Sequence, residues 1–263
     1  MAPEPDEGGL TRDTLLDGRV ALWQRRGGHR AGTDAVLLAA ATTLAPGELL
    51  VDAGAGTGAV GLMAGVRAPE ARIVLVERDP ALAALGVRNL AQNGMSGRGI
   101  SVCADLLAGL PLAPARADAV ATNPPYFEPG EAPRSPDAAR AAAHALAEGS
   151  LAAWIEACAR LLRPRGRLSL IQRADKLPAC LAALERRFGA IRVTPVRPRA
   201  DRDATRIVIH AVKDARTPLS IAPAFVLHEA DGRFTARADR AHREGVWDQR
   251  TSERSGDQVG SEA

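Results

Sequence analysis

Asn123-Pro124-Pro125-Tyr126-Phe127 gathers residue types that can hold and activate a planar nitrogen. Two prolines fix the backbone and remove two N–H donors, so the carbonyls there point outward with no local competitor. The Asn123 side chain adds a carbonyl acceptor. Tyr126, the only tyrosine of the chain, adds a flat ring, and Phe127 a second, less polar one. Two acceptors and a stacking face suit an exocyclic amine or a primary amide bearing two hydrogens. The acceptors hold both N–H bonds and draw electron density onto nitrogen as it attacks a methyl sulfonium. No strong base is needed, because the nitrogen becomes acidic once alkylated.

A second cluster reads Val51-Asp52-Ala53-Gly54-Ala55-Gly56-Thr57-Gly58. Alternating glycines let the backbone turn sharply and approach a ligand closely. Gly56-x-Gly58-x-x-Gly61 also fits the dinucleotide fingerprint, so the glycines alone leave the ligand open. Asp52 favours one side: a carboxylate ahead of the loop repels a pyrophosphate and attracts a cation. S-adenosylmethionine carries an ammonium and a sulfonium and no phosphate. Glu77 follows about 25 positions later, where an acid can meet ribose hydroxyls; a solvated charge at a strand end accounts for it equally well. Asp105 can accept from an adenine amino group, and Asp79, just before Pro80, reads as a helix cap.

These residues need strands and helices to bring them together. Apolar runs predict strands at 49–52, 73–77, 100–103, 117–122, 168–172, 191–194 and 206–212, after a short run at 20–24. Helices are expected at 34–43 with Thr33 as cap, 57–66, 80–92, from a Ser150 cap to about 162, and 175–187. That alternation argues for an α/β fold with a doubly wound, mostly parallel seven-stranded sheet. In such a sheet, ligands bind at the carboxyl ends of the strands near the point where strand order reverses. Asp52, Glu77, Asp105 and Asn123 all fall at or just after such ends.

Taken together, Asp52, Gly54, Gly56, Glu77, Asp105 and Asn123-Pro124-Pro125-Tyr126 resemble the class I S-adenosylmethionine-dependent methyltransferases, in the branch that methylates amino nitrogens. The resemblance spans about residues 45–212 and implies a Rossmann-like methyltransferase fold. It implies that Asp52, Gly54, Gly56, Glu77 and Asp105, with Asn123, bind S-adenosylmethionine, that Asn123, Pro124, Pro125 and Tyr126 form the catalytic motif, and that Tyr126 stacks on the target, with Phe127 a further substrate contact. The stretch Arg30-Ala31-Gly32-Thr33-Asp34 and the later Asp231-Gly232-Arg233-Phe234-Thr235 look like segments of the bacterial enzymes that methylate the exocyclic nitrogen of adenine beside the anticodon of a valine tRNA. The release-factor glutamine methyltransferases share the four-residue motif but carry a sizeable helical domain ahead of the glycine loop, where this chain has about 50 residues. Guanine-amino methyltransferases of ribosomal RNA are a further alternative. A non-catalytic RNA-binding scaffold is the alternative of another kind, and it has no use for Asn123.

The 263 residues suit one domain, with tails expected at 1–12 and 246–263 and a methyltransferase domain at 13–245, divided into an N-terminal segment 13–44, a core 45–212 and a C-terminal segment 213–245. Three unpaired-looking cysteines argue against a disulfide framework or a zinc site, no metal is expected, and the N-terminus lacks a signal-peptide pattern. A cytoplasmic protein with no membrane segment is the expectation. Of 34 basic residues only Lys176 and Lys213 are lysine. Arginine suits phosphate recognition, and a GC-rich genome also explains the excess. Arg30, Arg197 and Arg199 are candidate RNA contacts in two basic stretches, 19–30 and 186–216, with tRNA the expected partner and the target adenine flipped against Tyr126. His29 and His144 have no assigned role, and Trp154 with Cys158 reads as core.

Overall fold

The computed structural model describes residues 9–27, 30–109, 114–124 and 151–247. Among them, the chain forms a two-stranded hairpin, β1 (Leu10–Leu15) and β2 (Val20–Arg25), followed by α1 (Thr33–Ala41). The alternating body follows: β3 (Leu49–Ala53), α2 (Ala59–Arg67), β4 (Arg72–Glu77), α3 (Pro80–Gln92), β5 (Gly99–Cys103) and β6 (Ala117–Thr122). After it come α4 (Leu151–Leu161), β7 (Leu162–Arg173), α5 (Leu177–Leu184), β8 (Phe188–Arg199), β9 (Arg206–Lys213), β10 (Ser220–Ile221), β11 (Phe225–His228) and α6 (Ala236–Glu244).

Among the described residues the main sheet has nine strands in the order β10-β8-β9-β7-β6-β3-β4-β5, with β11 also pairing β8. The seven expected strands are all present. The two additional ones, β10 and β11, are short segments that add to successive stretches of the outer edge of β8. They carry too few residues for a periodic signal. Only β9 runs antiparallel to its neighbours. Strand order reverses at β3, which lies between β4 and β6.

Several expected boundaries move. The first strand begins at Leu10, inside the expected tail, because Leu10 to Leu15 pair residue by residue with Val20 to Arg25. At the other end Trp247 is buried and its ring stacks on Phe225, with centroids 4.5 Å apart, so the core reaches past the expected limit at 245. Thr33 is the first helical residue of α1 rather than its cap; Gly32 takes that position. The helix expected at 175–187 divides into a short 3₁₀ turn, Ala174–Lys176, and α5. Asp79 does cap α3, its Oδ1 accepting from the N–H groups of Ala81 and Leu82 at 2.8 and 3.2 Å.

Two apolar clusters cover the two faces of the sheet. One packs α1, α2 and α6 with the hairpin over Leu50, Ile73, Leu75, Ile171 and Val208. The other packs α4 and α5 over Val51, Val74, Val120, Leu168 and Ile209. The hairpin is also joined to α3 by two amide side chains one helical turn apart. Asn89 Oδ1 accepts from Trp23 N and its Nδ2 donates to Trp23 O, at 2.8 and 3.1 Å; Asn93 treats Ala21 in the same way at 2.9 and 2.7 Å. The free edge of β2 thus finds in α3 the partners a third strand would have supplied, which satisfies buried backbone groups.

Asp52 positions α2. Its side chain, 2 % exposed, accepts from Gly61 N at 2.8 Å in the first turn of that helix, where an orphan N–H needs a partner. Gly61 gives α2 this close approach: a Cβ there would lie 2.5 Å from Leu75 Cδ2 and 3.1 Å from Ile73 Cγ2, so a larger residue would displace the buried leucine. Burial pushes the Asp52 carboxyl up to about 7, opposed by the Gly61 N–H and reinforced by the nearby charge of Glu77. A carboxyl raised in the folded state binds its proton there when the unfolded chain has already released it. Its contribution to stability is therefore complete below the unfolded value near 3.8 and is lost as pH rises toward 7. Asp52→Asn keeps an acceptor for Gly61 and cannot ionise. Chemical denaturation should show the stability of the variant minus that of the native chain growing between about pH 4 and 7, by up to about 1.4 kcal/mol per pH unit. A difference that stays constant across this range would contradict the assignment.

Candidate active site

The register of four parallel strands builds one line across the sheet. Ala53 pairs with Val76 on one side and Thr122 on the other, and Val76 pairs with Val102. The next residue along each strand is Gly54, Glu77, Asn123 and Cys103. Neighbouring strands lie about 4.8 Å apart, so this row is about 14 Å wide. Asp105 follows two residues beyond Cys103. The residues expected to bind the cofactor and to meet the acceptor thus meet at one edge.

The glycine loop leaves β3 through left-handed backbone at Gly54 (φ 75°), Gly56 (φ 55°) and Gly58 (φ 92°), a conformation that favours glycine. The N–H groups of Gly54 and Ala55 both donate to Val76 O, at 3.0 and 2.9 Å, which holds the loop against β4. Glu77 reinforces this. Its Oε2 accepts from Gly56 N and its Oε1 from Asp79 N, both at 2.9 Å. The carboxylate is half-buried and each oxygen retains acceptor capacity. Asp105 Oδ1 accepts from Leu107 N at 2.8 Å, which fixes the turn after β5. Asp52 points into the fold as the partner of α2, so its place in the site is behind the loop.

Asn123 and Pro124 end the described part of the acceptor motif. Asn123 Oδ1 is buried and has no hydrogen-bond partner among the described residues. An orphan buried acceptor is rare in folded proteins and carries a desolvation cost. Here it stands beside the glycine loop, where a donor on a ligand would satisfy it. Pro124 is buried next to it. Pro125, Tyr126 and Phe127, and also His29 and His144, lie outside the described residues.

The candidate RNA contacts separate. Arg30 is engaged within the N-terminal segment: it donates to Thr11 Oγ1 at 2.9 Å and pairs with Asp13 at 2.5 Å, and Gln24 also donates to Asp13 while accepting from Ala31 N. Arg197 and Arg199 are exposed at the end of β8, which runs parallel to β7 and β6, so they share the edge that carries Asn123. Arg206, at the same edge, pairs with Asp34 at 2.9 Å and ties the start of α1 to β9.

Two residues beside the site escaped the sequence reading. Thr122 Oγ1, fully buried, donates to Ala53 O at 2.9 Å and accepts from Trp154 Nε1 at 2.8 Å. Trp154, taken as plain core, is partly exposed, whereas Cys158 is fully buried. Helical spacing cannot distinguish an indole that fills a core from one that donates to a strand end. Among the described residues no three His, Cys, Asp or Glu side chains are grouped to hold a metal ion, and no helix is long and apolar enough to cross a membrane.

Comparison with known proteins identifies the family. Residues 31–198 match the family described as methyltransferase small domain. A relative from Porphyromonas gingivalis, named tRNA1(Val) (adenine(37)-N6)-methyltransferase, is 31% identical over 217 residues, covering 78% of this chain and 84% of its own. The protein of the same name from Aeromonas hydrophila is 30% identical over 212 residues, covering 79% and 86%. Among solved structures, a predicted O-methyltransferase from Agrobacterium tumefaciens superposes with a TM-score of 0.67 at 27% identity, covering 81% of this chain and 97% of its own. The glycine loop, the strand-end acids and Asn123 all lie within the matched residues, and this chain belongs to the methyltransferase small domain family.

Proposed function

We propose that this enzyme transfers a methyl group from S-adenosylmethionine to the exocyclic amino nitrogen of adenine in the anticodon loop of a tRNA. The observation that carries the reading is the buried Oδ1 of Asn123, unpartnered among the described residues and level with Gly54 across paired strands. The names of the relatives from P. gingivalis and A. hydrophila support the substrate.

The residues present fit the cofactor. The left-handed glycines bring bare backbone to the site, with open space where a Gly56 side chain would stand. The half-buried Glu77 offers acceptors to ribose hydroxyls, Asp105 offers one to an adenine edge, and the electronegative end of the row suits a cationic ligand. When bound, the cofactor supplies an electrophilic methyl group. Asn123 Oδ1 accepts one N–H of the target amine and Pro124 O the other. Both acceptors lift the nitrogen lone pair out of conjugation with the ring and aim it. The methylated nitrogen is cationic and acidic, so its proton leaves to solvent without a basic side chain. Tyr126 stacks on the flipped base and Phe127 packs beside it. Arg197 and Arg199 contact tRNA phosphates along the same edge.

Two measurements test this. Purified enzyme with labelled S-adenosylmethionine should methylate unmodified bacterial tRNA, and Asn123→Ala should lower kcat by about a hundredfold or more, as expected when an acceptor aligned with developing charge is removed. Labelling of a release factor but not of tRNA, or of neither with cofactor bound, would contradict the proposal. For the phosphate contacts, tRNA affinity should fall steeply with salt, and Arg197→Gln with Arg199→Gln should flatten the plot of log affinity against log salt by about one unit of slope or more. An unchanged slope would remove these arginines from the interface.

A further inference from the structure

Trp154 touches both the glycine loop and the strand that carries Asn123. Its indole lies against the glycine loop so closely that a Cβ at Gly54 would sit 3.0 Å from Cζ2 and 3.2 Å from Cη2. Its Nε1–H donates to the Thr122 hydroxyl at 2.8 Å, and that hydroxyl in turn donates to Ala53 O at 2.9 Å. Ala53 precedes the first loop glycine, and Thr122 precedes Asn123. One side chain from α4 therefore clamps the last peptide of β3, the first turn of the cofactor loop and the last residue of β6.

From this contact we propose that Trp154 is a positioning residue that couples the glycine loop to the acceptor motif, so that loop placement and Asn123 placement are set together. The inference rests on the functional reading above. Three physical facts support it. The Thr122 hydroxyl is fully buried and uses one donor and one acceptor, so it has a single rotamer and a single role. The Gly54 turn is left-handed and exposed on its outer side, and the indole covers its inner side. Asn123 follows Thr122 directly and among the described residues has no hydrogen bond at Oδ1, so the placement of Thr122 carries over to it through the chain.

Trp154→Phe retains a ring over Gly54 and removes the N–H donor. Thr122→Val removes the hydroxyl at nearly constant volume, and Thr122→Ser retains it. S-adenosylhomocysteine affinity by calorimetry and kcat and KM on tRNA are measured for each, beside the thermal midpoint. Trp154→Phe and Thr122→Val should each weaken S-adenosylhomocysteine and lower kcat by about five- to tenfold, the effect of one lost buried hydrogen bond, with little change in KM for tRNA. The double variant should be no worse than either single one, since both break the same link. Thr122→Ser should stay within about twofold of the native enzyme. The native tryptophan emission should change on S-adenosylhomocysteine binding, and that change should vanish in Trp154→Phe alone among the Trp→Phe variants at 23, 154 and 247.

Native affinity and kcat in both Trp154→Phe and Thr122→Val would overturn the inference, as would losses that multiply in the double variant. If Trp154→Phe does not fold, the contrast between Thr122→Val and Thr122→Ser decides. If the native enzyme binds S-adenosylhomocysteine but leaves tRNA unmethylated, the substrate assignment falls, and the affinity comparison still decides the role of Trp154.

Discussion

Parallel strands at the middle of this sheet are held in a register that leaves Ala53 level with both Val76 and Thr122. Side chains alternate between faces along a strand, so a slip by one residue would exchange the whole pattern. Asp52 would leave the face of α2, and Val51 would leave the face of α4. The buried apolar residues on both sides forbid that slip. They set the height at which Gly54, Glu77 and Asn123 emerge, and every feature of the site follows from that common level.

The strand ends are then braced from opposite directions. On one face, Asp52 caps α2 behind the glycine loop, and Asn89 Nδ2, besides holding Trp23, donates to Thr57 O in the loop at 2.9 Å. On the other face, Trp154 reaches the loop from α4 and donates to Thr122 at the end of β6. Glu77 draws Gly56 toward β4 from the third side. A loop built from glycines loses much conformational entropy when it is ordered, and these separate hydrogen bonds offset that loss. The N-terminal hairpin therefore belongs to the site's support. Arg30, on the segment that leads to α1, pairs with Asp13 of the hairpin and ties the two together.

Much of this could be read from residues alone because the informative positions obey local rules. Asp79 before Pro80 is a capping sequence, and the helix begins there. The apolar runs that form β3, β4, β6 and β9 are dense enough to mark fully buried strands, and the Asn-Pro-Pro-Tyr run marks its own chemistry. What escaped depends on partners distant in sequence. Asn89 and Asn93 read only as polar positions on a helix, although they pair with β2 some 70 residues away. Arg30 looked free because Asp13 stands 17 residues earlier across a hairpin. Residues 220–228 are too short for a periodic signal and become strands only because β8 presents an open edge. Trp247 sits in a polar tail sequence, yet Phe225 gives its ring a surface to cover.

The central claim is that Asn123 holds the amino group of an adenine in tRNA. Nucleoside mass spectrometry of tRNA from a strain lacking this gene tests it most directly, with the strain complemented by the native enzyme or by Asn123→Ala. The expected result is loss of N6-methyladenosine from one tRNA on deletion, full return with the native enzyme and no return with Asn123→Ala. Unchanged N6-methyladenosine in the deletion strain, or its restoration by Asn123→Ala, would contradict the claim.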